Sequence, residues 1–169
     1  AMVLSNHFAP EFPYAVEARL TARFESALTL RLSTSNLGVD SFTITQAFHA
    51  YLAVSDIESC TLKGLGPGPV YASGSSSYQH SGGDIRFAGP VDQIYSGSGN
   101  VCRLVDPGWG RAIRIERIGP GSTVVWNPWE QKARDIADMG NSEWRQMLCI
   151  EPGHCLDHSR VVCPGTSID

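Results

Sequence analysis

The chain is predicted to be all-β, an antiparallel sandwich or part of one, on three observations. Seventeen Gly and ten Pro among 169 residues favour many turns and short strands over long helices. Strict alternation of apolar and polar residues recurs along the chain, the period of a strand with one covered face. Neither an internal repeat nor the helix-strand alternation of a parallel sheet is present.

The elements follow in order. Tyr14, Val16, Ala18, Leu20, Ala22 and Phe24 alternate with Ala15, Glu17, Arg19, Thr21 and Arg23, which predicts a strand burying the first set. After Glu25-Ser26-Ala27 the alternation resumes at Leu28, Leu30 and Leu32, so the two runs read as an antiparallel pair. Asn36 to Asp40 is a turn, and Phe42 to Val54 reads as one long third strand. Residues 64–83 hold six Gly, two Pro and five Ser and are expected to form a flexible loop. Strand-like pieces then come at Ile85–Ala88, Val101–Val105, Ala112–Ile118, Thr123–Trp126, Met147–Glu151 and Arg160–Cys163. Glu130–Met139, charged and closed by Gly140, is the one stretch expected to be helical. Residues 1–169 are expected to form a single, partial β-sandwich domain.

Composition excludes several classes. Seventeen acidic against 13 basic residues give a net charge of −4, which does not attract nucleic acid. No apolar run nears the roughly 18 residues of a spanning helix, so a membrane protein is not expected. The start of the chain lacks a basic stretch followed by an apolar core. Five scattered cysteines (Cys60, Cys102, Cys149, Cys155, Cys163) suit a reducing compartment and predict free thiols in a cytoplasmic protein.

Several residues carry possible chemistry. His49 lies inside the apolar, aromatic run Gln46–Leu52 and is either a satisfied structural histidine or a proton donor. Glu151 ends a strand before Pro152-Gly153 and is either a solvated surface carboxylate or, in a cleft, a general base. In Val124–Trp129 the indole of Trp126 is either a platform for a sugar ring or core filling. Asp92 interrupts the apolar run Pro90–Tyr95 as a turn residue or a hydroxyl acceptor. Cys149, His154, Cys155, His158 and Cys163 lack the paired spacing of a structural zinc site, so no metal is expected. Phosphate-cradling and nucleophile-elbow motifs are absent, so no cofactor is implied.

Four segments, PEFPYAVEARLTARFESALTLRLSTSN, FHAYLAVSDIESCTLKGL, DIRFAGPVDQIYSG and STVVWNPWEQKARDIADMGNSEWRQMLCIEPGH, occur in this order. Together they resemble the C-terminal part of the hexose-6-phosphate mutarotases (glucose-6-phosphate 1-epimerases), relatives of the aldose 1-epimerases. The resemblance runs from about Leu4 to the end of the chain. It implies a galactose mutarotase-like supersandwich, with a sugar or sugar phosphate bound in a cleft on one sheet. It also implies that His49 is the proton donor, Glu151 the proton acceptor and Asp92 a substrate-binding aspartate, although Gln93 stands where relatives have arginine. Asp56 falls in a family motif and reads first as structural. Relatives begin with an N-terminal portion bearing arginines that face the sugar phosphate, and none of Arg86, Arg103, Arg111, Arg114 and Lys132 matches those.

The expected activity is therefore a 1-epimerase that interconverts α and β anomers by acid/base ring opening, without metal or nucleotide. Two other readings stay open: a catalytically silent carbohydrate-binding β-sandwich module, and a truncated fragment that associates through open sheet edges.

Overall fold

The computed structural model describes residues 12–72, 77–97, 99–119 and 121–169, together with the backbone of residues 2–6. Two compact units emerge, Ala1–Ile44 with Ser159–Asp169, and Thr45–His158.

The first unit begins with β1 (Met2–Asn6), β2 (Val16–Phe24), β3 (Leu28–Asn36) and β4 (Phe42–Ile44). β2 and β3 form the expected antiparallel pair, in register from Val16 opposite Asn36 to Phe24 opposite Leu28. Only the base of this hairpin is covered: Val16, Phe42 and Val162 are buried together, with Phe12, Tyr14, Ile44 and Ile168 packed on them. The tip departs from the burial its alternation predicts, since Phe24 is 79% and Leu28 56% exposed. A period of two decides which side chains share a face, but covering that face takes a second layer.

The second unit holds β5 (Gln46–Ala47), β6 (Tyr51–Ala53), β7 (Thr61–Lys63), β8 (Gly68–Ala72), β9 (Ser77–His80), β10 (Ile85–Arg86) and β11 (Val91–Ser96). It continues with β12 (Val101–Asp106), β13 (Arg111–Glu116), β14 (Ser122–Asn127), α1 (Trp129–Ala133) and β15 (Met147–His154). The chain then returns to the first unit as β16 (Arg160–Val162), paired with β4, and β17 (Ser167–Ile168), paired with β3.

Within the second unit a seven-stranded sheet runs β5-β15-β14-β11-β8-β9, with β6 also on β15, and a four-stranded sheet runs β10-β7-β12-β13. All pairings are antiparallel, as the all-β reading requires. Leu62 and Leu104 of the small sheet share one buried core with Val70, Tyr95, Val125, Leu148 and Ile150 of the large one. The unit is therefore a sandwich. Each strand of the large sheet turns one set of side chains into this core and the alternate set to the opposite face. No helix among the described residues is long and apolar enough to cross a membrane.

Three expectations need correction. The long strand expected at 42–54 is broken into β4, β5 and β6. Thr45 parts β4, which pairs with β16, from β5, which pairs with β15; the break between β5 and β6 falls at residues 48–50, where the Ala50 N–H turns back to the Phe48 carbonyl at 2.8 Å and leaves the ladder. The segment at 64–83 is not simply a loop, because β8 and β9 pair from Gly68–His80 to Tyr71–Ser77; residues 73–76 between them lie outside the described residues. The helix expected at 130–139 ends at Ala133. Asp135, Ile136 and Met139 instead bond three residues back, to Lys132, Ala133 and Ile136. Beyond Ala133, the one buried residue of α1, the chain continues toward the core contact of Met139 in these tighter turns.

Candidate active site

The free face of the large sheet gathers the candidate residues, and strand register explains how. Cys149 and Glu151 are two apart on β15 and leave the sheet on the same side. Trp126 of β14 stands opposite Cys149, and Asp92 of β11 stands opposite Trp126. On the other flank Tyr51 of β6 is opposite Cys149. Tyr51, Cys149, Trp126 and Asp92 thus form one row across four strands, with Glu151 in the next row. Neighbouring strands lie about 4.8 Å apart, so the backbones of Asp92 and Glu151 are separated laterally by about two such steps.

His49 reaches this face through the break between β5 and β6. Ala47 pairs with Gly153 and Tyr51 with Cys149, which brackets His49 opposite Glu151. The Phe48 N–H still bonds the Pro152 carbonyl at 3.0 Å and holds the kinked residues against β15. Gly153 permits this approach: a Cβ there would lie 2.4 Å from the Gln46 carbonyl oxygen. The result is a contact of 3.4 Å between His49 Nδ1 and Glu151 Oε1 across 102 positions of sequence. His49 is 52% exposed and Glu151 only 8%.

Aromatic rings wall the pair. His49 stacks on Tyr51 with centroids 4.9 Å apart and meets the edge of Trp126 at 5.7 Å. Burial pushes the Glu151 carboxyl above its ordinary range; His49 pulls it down and the Asp92 charge pushes it up, with a net rise. Glu151 is thereby a stronger base than a surface carboxylate. The Cys149 thiol below them is pushed up to about 12 by burial, with Glu151 adding to the rise. Lys132 Nζ lies 3.8 Å from Asp92 Oδ2 at the edge of the site.

All four residues singled out from sequence, His49, Glu151, Asp92 and Trp126, therefore belong to one face. Asp92 is a strand residue of β11, not a turn residue. Asp56 is structural: its side chain accepts from the Glu58 N–H to cap a short 3₁₀ turn, and it lies 3.3 Å from Arg145. Tyr51 and Cys149 were missed as site residues. Their two-residue spacing from His49 and Glu151 was the available signal, but spacing alone does not say which strands pair. The WNPW motif divides its labour. Trp126 faces the site, whereas Trp129 packs on Trp144 with centroids 4.5 Å apart. Between them buried Asn127 donates to the carbonyls of Trp144 and Met147 at 2.8 Å each, tying the end of β14 to the start of β15.

Behind β6, fully buried Asp106 accepts from the Ser55 hydroxyl and, at 3.2 Å, from the Ser55 N–H. Arg111 lies 3.4 Å from Asp106 and also donates to the Ala53 carbonyl, so this knot anchors the strand that carries Tyr51. Burial alone would raise the Asp106 carboxyl, but these hydrogen bonds outweigh it and hold it below the usual range.

Comparison with known proteins settles the family, since the profile of the aldose 1-epimerases matches residues 1–169. The chain belongs to the aldose 1-epimerase family. A "putative glucose-6-phosphate 1-epimerase" of Cenchrus ciliaris is 29% identical over 147 residues, covering 83% of this chain and 45% of that protein. A galactose mutarotase-like protein from Lactobacillus casei superposes with a TM-score of 0.72 at 14% identity, over 98% of this chain and 66% of its own. A structure titled as a "putative mutarotase" from Salmonella typhimurium gives a TM-score of 0.75 at 17% identity, over 95% and 55%. These likenesses establish a galactose mutarotase-like fold. The chain spans about half the length of the curated relatives it matches.

Proposed function

We propose that this aldose 1-epimerase relative interconverts the α and β anomers of an aldohexose or its 6-phosphate, with His49 as general acid and Glu151 as general base. The observation that carries the reading is the 3.4 Å contact of an exposed imidazole with a buried carboxylate on an aromatic-walled sheet face. Anomer exchange removes the proton of the C1 hydroxyl while the ring oxygen gains one; the aldehyde rotates about C1–C2, and the ring recloses on its other face. A raised-pKa carboxylate suits the first transfer and an imidazolium the second. Both sugar atoms are attached to C1, so one acid and one base on neighbouring strands can serve them together. The His49–Glu151 contact must open to admit them, and His49, half exposed outside any strand, is the partner with room to move.

Trp126 offers an apolar ring to the sugar face, and Asp92 accepts from a hydroxyl. Beside two carboxylates, with Lys132 already near Asp92, a 6-phosphate gains little attraction, so preference for the phosphorylated sugar is expected to be weak. Five free thiols support a cytoplasmic, reducing setting, and the exposed apolar tip of the β2–β3 hairpin supports self-association.

Anomer-exchange NMR on glucose 6-phosphate, glucose and galactose tests the reading. His49→Ala should lower exchange by roughly two to four orders of magnitude, the usual share of general acid–base catalysis. Exchange within a few-fold of the unmodified chain would remove His49 from the mechanism. Sugar binding without exchange in the unmodified chain would favour a silent carbohydrate-binding module.

A further inference from the structure

We infer that His49, Cys149 and Glu151 form a coordination site for a thiophilic divalent cation, zinc foremost, and that its occupation blocks the sugar site. Each residue offers one ligand atom, an imidazole nitrogen, a sulfur and a carboxylate oxygen, and these lie within 4.8 Å of one another. Among the described residues this is the group of His, Cys and acidic side chains that converges so closely. It shares only Cys149 with the sequence cluster of Cys149, His154, Cys155, His158 and Cys163.

The geometry suits a tetrahedral ion. Zinc binds nitrogen and oxygen at about 2.0–2.2 Å and sulfur at about 2.3 Å, which sets ligand atoms about 3.5 Å apart around it. The His49–Glu151 separation of 3.4 Å already meets that spacing. The Cys149 sulfur lies within 4.8 Å of both other ligand atoms, so rotamer adjustments of about 1 Å, to which the half-exposed His49 side chain contributes, bring the three to that spacing. The exposed imidazole also gives an ion its entry from solvent. Donor chemistry decides the class of ion: thiolate with imidazole selects zinc or cadmium, whereas magnesium and calcium demand oxygen. On binding, the metal–sulfur bond replaces the Cys149 S–H bond and one proton passes to solvent; nothing is oxidised or reduced. Three protein ligands leave a fourth position for water. The block on sugar rests on the proposed function, because the metal uses the same imidazole and carboxylate; binding itself does not.

Cadmium titration of the full chain, followed by its sulfur-to-metal charge-transfer absorption, tests the site without reference to activity. One equivalent should give the band, zinc should abolish it, and magnesium should not compete. Cys149→Ser should lose the band, with near-UV circular dichroism checking its fold. His49→Gln, at a half-exposed position, and Glu151→Gln should each weaken cadmium at least about tenfold, since loss of even an outer partner of a metal ligand costs that much. An absent band, a band retained in Cys149→Ser, or affinity unchanged in both His49→Gln and Glu151→Gln would overturn the site. Failure of anomer exchange with an intact band would overturn only the catalytic reading.

Discussion

Replacing Gly153 by alanine should disable the site without touching any residue proposed to do chemistry. The added Cβ would stand 2.4 Å from the Gln46 carbonyl oxygen, 2.6 Å from Ala47 Cβ and 2.8 Å from Ala47 Cα, where ordinary contact begins near 3.4 Å. Two of these neighbours are backbone atoms of β5, so no rotamer change relieves the clash, and β5 must retreat by about 1 Å. His49 lies two residues beyond Ala47 and is positioned through it, so the retreat opens the His49–Glu151 contact. A misplacement of about 1 Å costs on the order of a hundredfold in rate, and overpacking costs typically 1–3 kcal/mol in stability. Gly89→Ala is the control, because a Cβ there meets nothing within 4 Å. Anomer-exchange NMR reads the rate, thermal unfolding the stability, and nuclear Overhauser contacts between His49 and Tyr51 the geometry. If Gly153→Ala exchanges within threefold of the unmodified chain and melts with Gly89→Ala, the register argument for His49 is refuted.

Glu151→Gln should lower exchange by roughly two to four orders of magnitude and yet raise stability at neutral pH. The Glu151 carboxyl is raised by burial, so the folded state binds more protons than the unfolded chain between the ordinary carboxylate range and the folded pKa. Stability therefore falls as pH rises through that window, and the glutamine variant should show a flatter profile in urea unfolding; an identical profile would count against the buried carboxylate. Asp106 has the opposite sign: held below its usual range, it contributes stability that is present above the ordinary carboxylate pKa and lost as pH falls through the lower folded one. Ser55→Ala removes a hydrogen bond to that buried charge and should cost about 1.5–3 kcal/mol in denaturant unfolding, with a loss under 0.5 kcal/mol speaking against the knot. Phe24→Ser combined with Leu28→Ser, at the exposed hairpin tip, should shift light-scattering mass toward the monomer and leave the melting temperature nearly unchanged. An unchanged mass distribution, or a large drop in melting temperature, would show that those side chains are not a free apolar surface.

The sequence by itself determined the all-β class, the β2–β3 pairing and the positions of β10 and of β12 to β16, but not those of β7 and β11, because alternation and turn residues act over a few positions of chain. It misjudged Phe42–Val54, Gly64–Gly83 and Glu130–Met139 for one shared reason. Continuity of a strand or helix depends on what lies alongside: β5 and β6 are separated by a kink held against β15, β8 and β9 are ordered by each other, and α1 gives way to three-residue turns after Ala133. His49, Glu151, Asp92 and Trp126 were legible as residue types in suggestive contexts, and the family resemblance drew the first three together. Only the tertiary structure decided that they share a face. That outcome rests on the antiparallel registers of β6, β15, β14 and β11, in which a slip of one residue would turn Glu151 and Cys149 into the core. Cys149 shows the limit most plainly. From its spacing it is one scattered thiol among five, and only strand pairing, which brings distant positions within a few ångströms, makes it a neighbour of His49 and Glu151.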